Sequence, residues 1–181
     1  MVYKFSSSST ESTESQGKSE EEASEGYYYY EAIKLDTDSV RDVYRSVRGD
    51  QAKYSIVPLM YHVTTEYRPE TTHESLYGTE VTVHISGYSY GDIVDEDGNV
   101  LSSNEGLSCE VSSDNEEMQA LLDSIDKNWH ITGSYTNAAK YTENLDFSNA
   151  EKLDVTLKGV FVEANSNDEI SDTPGVLLTE E

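Results

Sequence analysis

Residues 80–90 alternate strictly, with Val81, Val83 and Ile85 on one side of an extended chain and Thr82, His84 and Ser86 on the other. A backbone whose side chains change face at every step buries the first set only by leaving the second toward water or a polar partner. This segment is therefore a half-buried strand, and the fold around it must contain a sheet. Residues 27–35, four tyrosines followed by Glu-Ala-Ile-Lys-Leu, have the aromatic and β-branched content of a first strand. Residues 53–67 read as a long strand with Pro58 at an edge or a bulge. Residues 129–136 and 153–163 supply the last two. Asp97-Gly98, set between Ile93-Val94 and Val100-Leu101, predicts a hairpin, because Gly provides the positive φ of a type I′ turn. A calcium loop fails there. With Gly98 at its sixth position, Ile93 would take the first ligand position and Asn104 the twelfth.

Two helices interrupt the strands. Val40, Val43, Tyr44 and Val47 recur at helical spacing between a cap at Asp36 or Asp38 and a stop at Gly49. Ser112 or Ser113 is expected to cap the second, which runs through Met118, Leu121, Leu122 and Ile125. Asp114, Glu116 and Glu117 fall in its first turn, where a helix dipole favours anions. The order strand, helix, strand, strand, hairpin, helix, strand, strand predicts an α+β domain built from two similar lobes. A chain of 181 residues accommodates one such domain. Residues 1–26, rich in Ser, Thr, Glu and Gln, are expected to be disordered, the ordered domain to span 27–164, and 165–181 to form an acidic tail.

Charge narrows the setting. Lys and Arg total 12 against 36 Asp and Glu, a formal net charge of -24. The acids pepper the predicted turns as well as the termini, which is the pattern of a surface adapted to high salt rather than of an interaction tail alone. We expect the cytoplasm of a halophilic archaeon, with the chain encoded by the cell or by its virus. In about 1 M salt the Debye length falls to roughly 3 Å, so this surface does not forbid a phosphate-bearing substrate. No apolar run approaches the ~20 residues needed to cross a bilayer, so no membrane partner is expected. The single Cys109 excludes an intramolecular disulfide and any multi-Cys metal site, and reads as a small core residue.

Each of the four histidines is followed two positions later by Ser or Thr. Two stand apart by setting. His62 and His130 each lie in a strand-like segment, follow an aromatic residue and precede a β-branched residue and then Thr. Period two places each His and its Thr on one face. Imidazole titrates near 6.5, so one ring can accept a proton from a nucleophile while the other donates one to a leaving oxygen. Thr hydroxyls can donate to the nonbridging oxygens of a phosphodiester. His73, in a polar loop, is expected to be solvated, and His84 to sit on the surface or a cleft wall. Asp95 and Asp97 read as turn residues.

The segments Tyr61-His62-Val63-Thr64-Thr65-Glu66-Tyr67 and Trp129-His130-Ile131-Thr132-Gly133 resemble the paired His-x-Thr motifs of the 2H phosphoesterases. Residues 78–88 are similar to the strand that follows the first motif in members related to RNA-repair and tRNA-ligase cyclic phosphodiesterases, and 153–160 to their closing strand. The resemblance covers roughly residues 27–163. It implies a bilobal fold, two antiparallel sheets with flanking helices around a central cleft, and metal-independent cleavage of an RNA 2′,3′-cyclic phosphate or of 2′-5′ or cyclic oligonucleotide linkages. Carried over, His62 and His130 are the acid and base and Thr64 and Thr132 the phosphate-binding hydroxyls, with no cofactor and no metal. Thr65 and Gly133, after the two motif threonines, depart from the usual apolar residue. With few cations near the motifs, Arg68 and the rings of Tyr61, Tyr67, Trp129 and Tyr135 are the expected substrate contacts, the rings by stacking on a base. The rival expectation is a noncatalytic acidic binding or virion structural module.

Overall fold

The computed structural model describes residues 29–167 and 169–171. The expectation of disorder for residues 1–26 lies outside the described residues, as does the tail from 172 onward. In chain order the elements are β1 (Tyr29–Lys34), α1 (Thr37–Arg48), β2 (His62–Tyr67), β3 (Glu80–Val94), β4 (Val100–Ser112), α2 (Glu116–Ser124), β5 (His130–Tyr135), β6 (Glu151–Asn165) and β7 (Ile170–Ser171). Short 3-10 turns occupy Glu74–Leu76 and Ala139–Asn144. The expected α+β class is found. The strands form one seven-stranded sheet in the order β2-β1-β6-β3-β4-β5, with β7 beside β6 and every pairing antiparallel.

Two sheets were expected where one is found, and β6 is the reason. Along its length it pairs with β3 from Glu151 to Val160 and with β1 from Val160 to Asn165. Only Val160 is common to both ladders, so the β1–β2 and β3–β4–β5 portions meet along one long strand instead of separating. Of the residues assigned to the tail, Asn165 ends β6, and Ile170 and Ser171 of β7 close back on Ala164 and Glu163.

The helix α1 starts and stops as its sequence dictates. Asp36 Oδ2 accepts from the Ser39 amide at 3.0 Å and from its hydroxyl at 2.8 Å, and Gly49 ends the helix at φ 89°. The cap of α2 is Asn115, whose Oδ1 accepts from the Met118 amide at 3.0 Å. Ser113, expected as a cap, instead donates to the Glu80 carbonyl. The long strand expected over 53–67 begins only at His62. Before it, Ile56 makes an isolated bridge to Tyr135, and Leu59 beyond Pro58 is 72% exposed. The hairpin lies where expected, but its loop is longer than two residues and winds around Asp95, whose Oδ1 accepts from the amides of Asp97 and Asn99 at 2.9 Å each.

The core lies under the two helices. Val81, Val83 and Ile85 pack with Ile33, Val63, Leu107, Ile131 and Phe161 against Val40, Val43 and Tyr44 of α1 and Met118 and Leu122 of α2. Cys109 joins this core, where burial pushes its thiol up to about 12. Gly133 is explained by the same packing. The Tyr44 hydroxyl donates to the Ile131 carbonyl at 2.8 Å, and a Cβ on residue 133 would lie 2.5 Å from Tyr44 Cζ. Glu105 is fully buried yet satisfied: Arg48 reaches both its oxygens, the hydroxyls of Tyr88 and Ser134 donate at 2.8 and 2.6 Å, and the Lys53 amide at 3.2 Å. Among the described residues, no helix is long and apolar enough to cross a membrane.

Candidate functional site

Strand alternation sorts the two motifs. Val63 and Ile131 point into the main core, so His62 and Thr64 on β2 and His130 and Thr132 on β5 emerge from the opposite face. These strands are the two ends of the sheet order, yet the ends lie against each other. Lys127, in the connection leading to β5, spans them by donating from Nζ to the Thr64 carbonyl at 2.8 Å. The ammonium also lies 5.7 Å from the centroid of the Trp129 ring.

The two imidazoles are held in the same way. His62 Nδ1 lies 3.1 Å from the Met60 carbonyl and His130 Nδ1 lies 2.8 Å from the Asn128 carbonyl, in each case two residues upstream. A carbonyl only accepts, so each Nδ1 carries the proton and each Nε2 is the nitrogen left for chemistry. Burial pushes His62 down to about 4, with the nearby charges of His130 and Lys127 acting in the same direction against the Met60 hydrogen bond. His130 is also lowered, mainly by burial and then by Lys127, while the Asn128 carbonyl and Glu143 oppose the shift. Because β2 and β5 lie against each other, both rings emerge where the two ends of the sheet meet. His62 further packs against Tyr30, with ring centroids 5.4 Å apart.

The hydroxyls are not equivalent. Thr132 Oγ1 donates to Thr142 Oγ1 at 3.0 Å, and Thr142, buried in the 139–144 turn, also accepts from Asn104 Nδ2 at 2.9 Å. The Thr64 side chain is half-buried on the same face as His62. Of the expected stacking rings, Tyr61 and Tyr135 are corrected. They are 5% and 2% exposed, Tyr61 against Tyr44 in the core and Tyr135 at the Ile56 bridge, so neither offers a face to a ligand. Trp129 is half-buried, packing on the core below Lys127. Tyr67 is exposed at the far end of β2, with the Arg68 guanidinium 5.5 Å from its ring centroid. Arg68 itself adopts φ 51°.

Other histidines serve elsewhere. His84 Nε2 lies 2.6 Å from Asp154 Oδ1 on the exposed sheet face, consistent with a surface position. His73, expected to be solvated, is instead tied to the buried Glu31 through its backbone amide at 2.7 Å and its ring Nδ1 at 2.8 Å. Tyr30 belongs to the tyrosine run expected as strand packing, and Lys127 carries no motif of its own. The loop position of Lys127 relative to β2 is a tertiary fact without a local signal. No family model, curated protein or solved structure matches the chain.

Proposed function

We propose that the chain is a metal-independent phosphodiesterase of the 2H type, acting on an RNA 2′,3′-cyclic phosphate or on a 2′-5′ or cyclic oligonucleotide linkage. The observation that carries this reading is the pair of imidazoles on adjoining sheet ends, each fixed through Nδ1 so that Nε2 is free to move a proton. The offset of the β1 and β3 ladders along β6 supports two lobes, one carrying each motif, despite the continuous sheet.

His62, neutral at pH 7, is the base: its Nε2 takes the proton of the attacking water as the water oxygen bonds to phosphorus. His130 takes the part of the acid: burial lowers it in the free chain, and the charge of a bound anionic phosphodiester is what favours its protonated form. Its Nε2 proton passes to the 2′ or 3′ oxygen as the bond from that oxygen to phosphorus breaks. Lys127 and the Thr64 hydroxyl stabilise the nonbridging oxygens, and Tyr67 with Arg68 forms the stacking platform for a base. The net charge of -24 fits a halophilic cytoplasm, where salt screens repulsion of this substrate.

Incubation with a 2′,3′-cyclic-phosphate oligonucleotide and with cyclic dinucleotides, in high-salt buffer with EDTA and with circular dichroism to verify the fold, tests the proposal. Turnover that disappears in the His62→Ala, His130→Ala double variant is expected. No turnover by the folded chain, or full turnover by that variant, overturns it. One observation favours the rival noncatalytic module: Thr132 already spends its hydroxyl proton on Thr142. The rival predicts binding of a nucleotide without product.

A further inference from the structure

On the other face of the same strand lies a second group of ligating side chains. Ile33 of β1 and Val63 of β2 are cross-strand partners inside the main core. One step of two residues along each strand brings Glu31 and Thr65 to that face. A bulge in the β1–β2 ladder sets both Thr65 and Glu66 opposite Glu31. The connection before β3 folds over this spot and supplies His73 and Tyr77, whose hydroxyl donates to Glu31 Oε2 at 2.7 Å. One ligand atom each from Glu31, Glu66 and His73 lies within 4.8 Å of the others. Glu31 is fully buried.

Negative charge concentrated in a dry place is costly unless a cation offsets it. The independent pointer is Thr65. It is 2% exposed, lies on the face of Glu31, and its Oγ1 has no hydrogen-bond partner among the described residues. A buried hydroxyl left unmet costs about 1 to 3 kcal/mol, which a coordinated ion or its water would relieve. We propose that Glu31, Glu66 and His73 bind a divalent transition metal, Zn2+ or Mn2+, with the Thr65 hydroxyl bonded to the ion or to a water on it. An imidazole beside carboxylates selects these ions over Ca2+ and Mg2+, which take oxygen ligands. An open groove between the 72–76 segment and α2, lined by Thr72, His73, Leu76, Glu117 and Leu121, borders the cluster on the His73 side. The site faces away from His62 and His130. Its role is to pin the 72–77 segment to the β1–β2 bulge.

Calorimetric titration of the full chain with Zn2+, Mn2+ and Ca2+ in turn, in high salt with millimolar Mg2+ to suppress loose binding, tests the site. One equivalent of Zn2+ or Mn2+ is expected, with a rise in Tm. Affinity should fall about 100-fold in His73→Ala and in Glu66→Gln, and about 10-fold in Thr65→Val. Glu66 is half-buried at the end region of β2, so Glu66→Gln keeps the fold and the test open if a core variant does not fold. Absence of binding, tighter binding of Ca2+ than of either transition metal, or the same multi-equivalent binding in wild type and Glu66→Gln overturns the proposal.

Discussion

His62→Asn separates the cost of holding a neutral imidazole from everything else the acidic chain does with pH. In the folded protein His62 titrates at about 4, against about 6.5 when unfolded. The sign follows from proton counting. Above 6.5 both states are neutral and the shift contributes nothing. As pH falls below 6.5 the unfolded chain takes up a proton that the folded chain refuses, so stability is lost until the folded ring titrates near 4. The full loss is about 3 kcal/mol at about 1.4 kcal/mol per pKa unit, and about 2 kcal/mol of it falls between pH 7 and pH 5. The half-buried ring keeps some water contact, which makes these upper bounds. Asn carries no titrating proton, so the variant should lose about 2 kcal/mol less than wild type over this interval. At roughly 2 to 4 °C per kcal/mol, that is a difference of about 4 to 8 °C in the drop of Tm. Thermal melts at pH 7 and pH 5 in one high-salt buffer measure it, and the His62 Cε1 proton resonance reports the titration itself. Parallel drops in Tm for the two proteins, together with a resonance that titrates near 6.5, would refute the burial argument.

Three further outcomes follow from the packing and the charges. Arg48→Ala leaves Glu105 charged and without its guanidinium inside the core, and chemical denaturation should show a loss of about 3 to 5 kcal/mol. Gly133→Ala drives a methyl into the Tyr44 ring, and the same assay should show a loss of about 1 to 3 kcal/mol, largely recovered in a Tyr44→Phe background only if the hydroxyl contact dominates over the ring contact. Lys127→Met removes a positive charge that opposes protonation of both imidazoles, so both histidine resonances should titrate at higher pH than in wild type, while unchanged titration would remove Lys127 from the site.

Much of the fold was legible because its signals are local. Asp36, the Val40-Val43-Tyr44 spacing and Gly49 specify α1 without help from the rest of the chain, and strict alternation specifies the start of β3. What escaped depends on partners far away in sequence. The strand β4 buries Ser102, Asn104 and Glu105, a composition that reads as a loop until Thr142, Ala138, Arg48 and Ser134 supply the hydrogen bonds. Residues 53–61 carry apolar side chains without a neighbouring strand to pair with, apart from the bridge at Ile56, so their β-like composition overstated the strand. At the site, period two was enough to put each His with its Thr. It could not tell a ring that faces substrate from one that fills the core, and Tyr61 and Tyr135 went to the core. Glu31 was the one clue to the second cluster that composition offered, a lone acid among residues otherwise suited to burial, and its meaning needed His73 from the connection before β3.

The most direct measurement of the acid–base pair is a histidine-resolved NMR titration of the folded chain with a nucleoside 2′- or 3′-monophosphate, the product side of the proposed reaction. Phosphate held between the two Nε2 atoms should shift the Cε1 resonances of His62 and His130 together, with one dissociation constant, and raise the pKa of both, leaving His84 unmoved. A shift at one ring alone, or at neither, would contradict the account.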